Sequence, residues 1–137
     1  TEEAEDAAAA MAAETIRDYL EHGTIRNSVN FPPTSLPERE DNSVRFTVVN
    51  ENKPGMLAHI MEQFGKSNIN ILQQVNHSRN DIAYNVIDCA VPASGSVVSL
   101  KDLQKDITML DGVLSSRVLF GTPGAGYAKN VEGDYHV

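Results

Sequence analysis

The feature that most constrains the fold is the order of two hydrophobic periodicities between residues 43 and 120. Apolar side chains alternate with polar ones in four short runs, and they recur every three or four residues in two others. The first spacing is typical of a half-buried strand and the second of an amphipathic helix. The order strand, helix, strand, strand, helix, strand predicts an α+β, ferredoxin-like βαββαβ sandwich. Its four-stranded sheet is antiparallel, with both helices on one face.

The bounds of the predicted elements follow from where each periodicity starts and stops. Pro54 suits the start of a helix because its missing N–H costs nothing there. Ser99 is a plausible cap for the second helix, and residues 78 to 81 have the composition of a hairpin turn. We therefore expect strands at 44–49, 69–75, 82–91 and 113–120 and helices at 54–67 and 99–110, within a domain spanning 43–120.

The first 42 residues have a different pattern. Thr1 followed by acidic residues is suited to cap a helix, and Gly23 is suited to end it, so residues 1–22 are predicted to be helical. Residues 23–42 include three prolines and are predicted to be an extended linker. The helix carries an apolar stripe that needs a surface to cover, so we assign it to a missing catalytic domain. The stripe is formed by Ala9, Ala12, Ala13, Ile16 and Leu20.

Charge and composition narrow the range of partners. The formal net charge is −8, which disfavours nucleic acid because such binding depends on Lys and Arg. No apolar run is long enough to cross a membrane, and the one cysteine, Cys89, cannot form an intramolecular disulfide. We therefore expect a cytoplasmic protein that binds neither nucleic acid nor membranes. Residues 121–137 show no periodicity and are predicted to form a flexible tail.

The turn between the first strand and the first helix is the best candidate for a binding site. Asn50 and Asn52 flank free N–H groups at the helix start, and Gly55 permits close approach to the backbone. Such a helix start can bind a carboxylate. We expect Asn70, at the start of the second strand, to lie at the same end of the sheet. The alternative is that Asn50 and Asn52 only fill a turn, as asparagine often does.

Other kinds of site are not supported by the sequence. The four histidines and the lone cysteine have no metal-ligand spacing, and no glycine-rich dinucleotide motif or serine nucleophile elbow is present. RNA-recognition modules share the βαββαβ order, but the third strand here carries only one aromatic residue, Tyr84. We therefore predict no catalytic, cofactor-binding or metal-binding residue in this chain.

The segments Asn52-Lys53-Pro54-Gly55 and Ser67-Asn68-Ile69-Asn70-Ile71 resemble the ACT domain, an amino-acid-binding regulatory module. The flanking Val29-Asn30-Phe31-Pro32 and the helix beginning Thr1-Glu2-Glu3-Ala4 resemble the end of the substrate-binding domain and the linker of the D-3-phosphoglycerate dehydrogenase family. The resemblance covers residues 1 to about 120.

This resemblance implies a parent enzyme that uses NAD to oxidise 3-phosphoglycerate and is inhibited by L-serine, or a similar small amino acid, bound between two copies of the domain. The effector would contact one copy's helix start and the other copy's Asn70. Where this chain has Asn50, the serine-sensitive bacterial form carries histidine. The implied effector-binding residues are Asn50, Asn52, Pro54, Gly55, Met56, Leu57 and Asn70. The alternative function is dimerisation without an effector.

Overall fold

The computed structural model describes residues 1–26, 33–35, 40, 42–91 and 100–119. The elements are α1 (Glu2–His22), β1 (Ser43–Glu51), α2 (Met56–Lys66), β2 (Ile71–Arg79), β3 (Ile82–Ala90), α3 (Leu100–Thr108) and β4 (Val113–Leu119). The predicted βαββαβ order with an N-terminal helix is therefore confirmed. No helix among the described residues is long and apolar enough to cross a membrane.

The four strands form one antiparallel sheet in the order β2-β3-β1-β4. Strands alternate their side chains between two faces, so residues paired across the sheet share a face. Phe46 pairs with Ile87 of β3 and with Val118 of β4, and all three belong to the main core together with Ile60 of α2 and Leu103 of α3. Both helices of the βαββαβ unit thus pack on this face, which we call the helix face.

Aromatic packing fixes α2 on the sheet. Phe46 and Phe64 are fully buried, and their rings meet edge to face with centroids 5.2 Å apart. Cys89 lies in the same cluster as a free thiol. Burial, followed by the charge of Asp88, raises the pKa of the Cys89 thiol to about 12. Cys89 therefore acts as an unreactive apolar side chain in the folded protein.

The main differences from the predicted element boundaries lie around the hairpin and at the start of α2. The hairpin turn contains only Asn80 and Asp81, because Asn80 adopts a left-handed conformation (φ 54°) that allows a tight turn. β2 accordingly runs on to Arg79 and begins later, at Ile71. α2 begins at Met56, so Pro54 lies in the preceding turn and not in the helix. The proposed cap Ser99, the predicted strand end at Phe120, the tail 121–137 and most of the linker lie outside the described residues.

The C-terminal end of α1 lies on the opposite face of the sheet, which we call the outer face. The last carbonyls of a helix have no partner within it. Here Arg117 Nη2 donates to Tyr19 O at 2.6 Å, Arg45 Nη1 to His22 O at 2.8 Å, and Tyr84 Oη to Gly23 O at 2.8 Å. Side chains from three strands therefore hold the end of α1.

Residues of the predicted linker also contact the sheet. Ile25 and Thr34 exchange two backbone hydrogen bonds, of 2.7 and 2.9 Å, and both residues are buried. Ile25 packs with Tyr84 and Val86 in a small cluster on the outer face. Most of the apolar stripe of α1 is not covered by the described residues, since Ala9, Ala12 and Ala13 are exposed and Ile16 is 59% exposed.

The outer face also contains a buried ion pair. Arg45 and Asp88 are each 1% exposed, and they form two hydrogen bonds, from Nε to Oδ1 at 2.6 Å and from Nη2 to Oδ2 at 2.9 Å. Gln73 Nε2 of the edge strand β2 donates to the same carboxylate at 2.5 Å. The cluster therefore connects β1, β2 and β3 and, through His22, α1.

Removing one partner of this ion pair should be far more costly than removing both. Arg45→Met or Asp88→Leu alone leaves a buried charge unpaired, and we expect each to lower the free energy of unfolding by about 3–5 kcal/mol. The double variant should recover much of that loss. Urea unfolding of the four proteins measures this, and losses in the two single variants that simply add in the double variant would contradict it.

Any side chain at Gly23, the end of α1, should destabilise the domain. It has φ 71°, and an added Cβ would lie 2.7 Å from Thr47 Cγ2 and 3.2 Å from Tyr84 Oη. We expect Gly23→Ala to destabilise the domain by about 1–2 kcal/mol and to expose α1 to proteolysis. Gly65→Ala is the control, because nothing lies within 4 Å of its Cβ position, and it should stabilise α2 by about 0.5–1 kcal/mol. Equal effects of the two substitutions would refute this account.

Candidate functional site

The candidate site is the turn of residues 51–55 that joins β1 to α2. Backbone hydrogen bonds hold it to two neighbouring turns: Glu51 N donates to Gly112 O and Asn52 N to Asp81 O, both at 2.8 Å. The Asn52 side chain reinforces this arrangement by donating from Nδ2 to Asn80 O at 3.0 Å. The turn is therefore fixed by the rest of the fold before any ligand binds.

The start of α2 has the properties of an anion site. Its N-cap is Gly55, which has φ 86°, makes no side-chain capping bond and is followed by no acidic residue in the first turn. The positive end of the helix dipole is thus not neutralised within the helix. An added Cβ at Gly55 would meet only His59 Cε1, at 3.8 Å, so the space above the backbone is open.

Charged side chains lie beside this helix start. Lys53 Nζ lies 3.2 Å from Glu51 Oε2 and 3.6 Å from Asp111 Oδ2. Hydrogen bonding to Glu51 and the negative charge of Asp111 raise the pKa of Lys53. These three groups together carry a net charge of −1. The uncapped helix start can bind the carboxylate of an amino-acid zwitterion, and the excess carboxylate charge beside it can attract the ammonium group.

The predicted site residues divide into exposed and buried groups. Asn52, Pro54 and Gly55 are exposed at the turn, and Leu57 is 36% exposed. Met56, by contrast, is buried. Asn50 is buried too, and both ends of its amide are occupied: Oδ1 accepts from Asn85 Nδ2 at 2.5 Å, and Nδ2 donates to Glu51 O at 2.8 Å.

The expectation that Asn70 lies at the same end of the sheet as Asn52 is wrong. Asn70 O accepts from Ala90 N, and Ala90 pairs with Ser43 at the start of β1. Asn52 follows the other end of β1, about 30 Å away at roughly 3.3 Å per residue. The error arose because α2 returns the chain to the start of β1 before β2 begins. One copy of this domain cannot bring Asn52 and Asn70 to the same small ligand.

Sequence reasoning missed two residues next to the site. Asn85 is fully buried on the helix face and donates to Asn50. Asn76 on β2 donates from Nδ2 to Asn85 Oδ1 at 2.5 Å. The available signal was a polar residue at a core position of β3, between Ala83 and Ile87.

A pocket of about 390 Å³ lies elsewhere, between α1 and the outer face. Its lining residues are Thr15, Ile16, Tyr19, Thr24, Ile25, Arg26, Val49 and Tyr84, which include none of the predicted site residues. Within the part of the chain that the structure describes, no group of three or more His, Cys, Asp or Glu side chains could hold a metal ion.

The curated relatives of this chain share one description, D-3-phosphoglycerate dehydrogenase. D-3-phosphoglycerate dehydrogenase of Haemophilus influenzae is 35% identical over 103 residues, which are 74% of this chain and 23% of that protein. A putative D-3-phosphoglycerate dehydrogenase of Schizosaccharomyces pombe is 33% identical over 88% of this chain and 25% of that protein. The Escherichia coli K12 enzyme is 28% identical over 88% of the chain. The chain thus spans about a quarter of the length of these relatives.

Solved structures with a similar fold include the ACT domain from GTP pyrophosphokinase of Chlorobium tepidum, which is 22% identical with a TM-score of 0.49. That match covers 58% of this chain and 100% of the other. A homoserine dehydrogenase from Thiobacillus denitrificans is 18% identical with a TM-score of 0.46, covering 69% of this chain and 20% of the other. No protein-family model matches the chain.

The βαββαβ fold, the sheet order β2-β3-β1-β4 and the Asn-Lys-Pro-Gly turn before α2 define the class as an ACT domain. Within that class, the relatives that match 88% of this chain are D-3-phosphoglycerate dehydrogenases. The chain belongs to the D-3-phosphoglycerate dehydrogenase family, and it spans about a quarter of the length of its relatives.

The burial of neighbouring residues at the start of α2 predicts which of them maintains the fold. Met56→Ala should cost about 2–4 kcal/mol of unfolding free energy because it empties a buried position, whereas Leu57→Ala should cost less than about 1 kcal/mol. Thermal and urea unfolding of the two variants test this. If Leu57→Ala were the more destabilising, the described orientation of α2 would be wrong.

Proposed function

We propose that this chain is the regulatory domain of an NAD-dependent D-3-phosphoglycerate dehydrogenase of serine biosynthesis, and that it binds L-serine as a feedback inhibitor. The observation that carries the proposal is the uncapped start of α2, with Gly55 at its N-cap and Asn52 beside it, in a chain whose relatives are D-3-phosphoglycerate dehydrogenases. NAD and the substrate would bind the rest of the parent enzyme.

The chemistry of the turn suits a small amino acid. The effector carboxylate would accept hydrogen bonds from the backbone N–H groups at the start of α2. Among the described residues, Asn52 donates from Nδ2 to Asn80 O, which leaves Oδ1 as an acceptor for the effector ammonium. The charges of Glu51 and Asp111 favour the same positive group. The open space above Gly55 would admit a side chain as small as that of serine.

A second copy of the domain would complete the site. In the described sheet β2 is an edge strand of nine residues, and an edge strand presents backbone groups that another strand can bind. If two copies pair along β2 around a two-fold axis, the strands run antiparallel and the sheets become continuous. Opposite ends of the two sheets then meet, so Asn52 of one copy approaches Asn70 of the other. Because one copy holds these two residues at opposite ends of its sheet, the proposed site forms only when two copies pair.

Inhibition would follow from linkage between binding and subunit arrangement. An effector that contacts two copies stabilises the arrangement in which both contacts are made, and it stabilises no other. A dehydrogenase whose catalytic cycle needs a different arrangement would lose activity. In this scheme the effector never enters the active site.

A structural role is the second candidate. The buried Asn50 amide is already bonded at both ends, so it offers nothing to an effector without rearrangement. In that case β2 would still pair two copies, and the turn at 51–55 would only connect β1 to α2. A dimer whose association constant is unchanged by serine in sedimentation equilibrium would favour this alternative.

Calorimetry with L-serine tests the proposal directly. Asn52→Ala removes the Oδ1 acceptor proposed for the effector ammonium, and we expect at least a tenfold loss of affinity. Asn70→Ala should weaken binding by a similar factor. Gln63→Ala, which removes an amide further along α2, is the control and should bind like the wild type. No heat with the wild-type protein would refute serine binding.

Mixing the two variants tests the shared site. Asn52→Ala and Asn70→Ala chains are each expected to bind serine poorly, but a mixed dimer contains one site with both asparagines intact. Random mixing makes half of the dimers mixed, so about one quarter of all sites should recover wild-type affinity. A failure of recovery in a mixture that forms dimers would show that one copy supplies the whole site.

A further inference from the structure

Three asparagines cross the helix face of the sheet in a single hydrogen-bonded row, which we call the asparagine row. Asn76 lies on the edge strand β2, Asn85 on β3 and Asn50 on β1. Asn76 Nδ2 donates to Asn85 Oδ1, and Asn85 Nδ2 donates to Asn50 Oδ1, both at 2.5 Å. Asn50 Nδ2 then donates to the backbone carbonyl of Glu51 at 2.8 Å.

The direction of the asparagine row is fixed from its inner end. The Glu51 carbonyl can only accept, so Asn50 must present Nδ2 to it and Oδ1 to β3. Asn85 must then present Nδ2 to Asn50 and Oδ1 to β2. That acceptor is buried, and it requires a donor from the edge strand. Asn76 meets this requirement with its own Nδ2, so the orientation of every amide depends on the next one.

A buried row of amides destabilises the fold unless every amide in it is hydrogen-bonded. Asn85 is 0% exposed and Asn50 2% exposed, and both lie among apolar residues of the helix face. A buried amide that loses one partner bears the full cost of its desolvation. If the donor from β2 is lost, the Asn85 amide can turn over, and Asn50 must then turn as well. Its bond to the Glu51 carbonyl is broken, and the turn at 51–55 loses that constraint.

We infer that the asparagine row positions the turn at 51–55 from the β2 edge, with Asn76 and Asn85 as positioning residues for the proposed effector site. The inference rests on the proposed function for its consequence, because the row joins the strand where a second copy would pair to the turn where the effector carboxylate would bind. Its physical part concerns only the stability of the turn, and can be measured without an effector.

Asn76→Asp is the decisive substitution. It keeps the shape of the side chain but replaces the required donor by a carboxylate, which faces the Asn85 acceptor. Gln74→Glu is the matched control, because Gln74 lies two residues away on the same face of β2 and receives the same added charge outside the row. Both positions are exposed on the edge strand, so both variants are expected to fold.

Hydrogen exchange of the 137-residue protein without serine is the primary measurement. The amides of Glu51 and Asn52, which bond to Gly112 and Asp81, should exchange about two- to tenfold faster in Asn76→Asp than in Gln74→Glu. Amides near Val44, at the far end of β1, should be unchanged. Equal exchange at 51 and 52 in both variants, or a uniform increase along β1, would overturn the inference.

Serine affinity is the second measurement, and it separates the two proposals. If the wild-type protein binds serine, Asn76→Asp should bind it more weakly than Gln74→Glu, although Asn76 does not belong to the proposed effector contacts. Equal affinity of the two variants would overturn the positioning role. If the wild-type protein gives no heat with serine, the proposed function fails, and hydrogen exchange alone then decides whether the row positions the turn.

Discussion

The buried ion pair between Arg45 and Asp88 is the constraint on which the outer face depends. A guanidinium removed from water needs a partner for each of its donors. Arg45 donates from Nε and Nη2 to the Asp88 carboxylate on β3 and from Nη1 to the His22 carbonyl at the end of α1. Gln73 on β2 donates a further hydrogen bond to the Asp88 carboxylate. Because one wrong register would leave a charge unpaired, the ion pair specifies how three strands and a helix fit together.

The two faces of the sheet pack against different parts of the chain. The helix face contains the apolar core that holds α2 and α3, and the asparagine row crosses it at the end where β1 leads into α2. The outer face holds the end of α1 by bonding its last carbonyls. A strand such as β1 contributes to both, since alternate residues point to opposite faces. Movement of β1 would therefore reach both the turn at 51–55 and the end of α1.

Topology explains why the proposed site needs two copies. In a βαββαβ sheet, α2 carries the chain back along β1, so β2 starts at the opposite end from the turn that precedes α2. Asn52 and Asn70 are separated by the length of a strand, and only an antiparallel pairing of two edges brings such ends together. The exposed edge strand β2 provides a surface for that pairing. The arrangement would make effector binding inseparable from subunit contact.

The sequence by itself determined the order of elements, because periods of two and of about 3.6 residues reflect which side chains are buried. It determined the helix start at Thr1 and the stop at Gly23, because capping is local. Only the tertiary structure decided that Asn50 is buried, that Asn85 and Asn76 continue its hydrogen bonds, and that Asn70 lies at the far end of the sheet. The residues in each of these relationships are far apart in the chain, and antiparallel pairing across the sheet sets their distances. A single sequence shows spacing along the chain, whereas burial and register arise only when the strands are placed side by side.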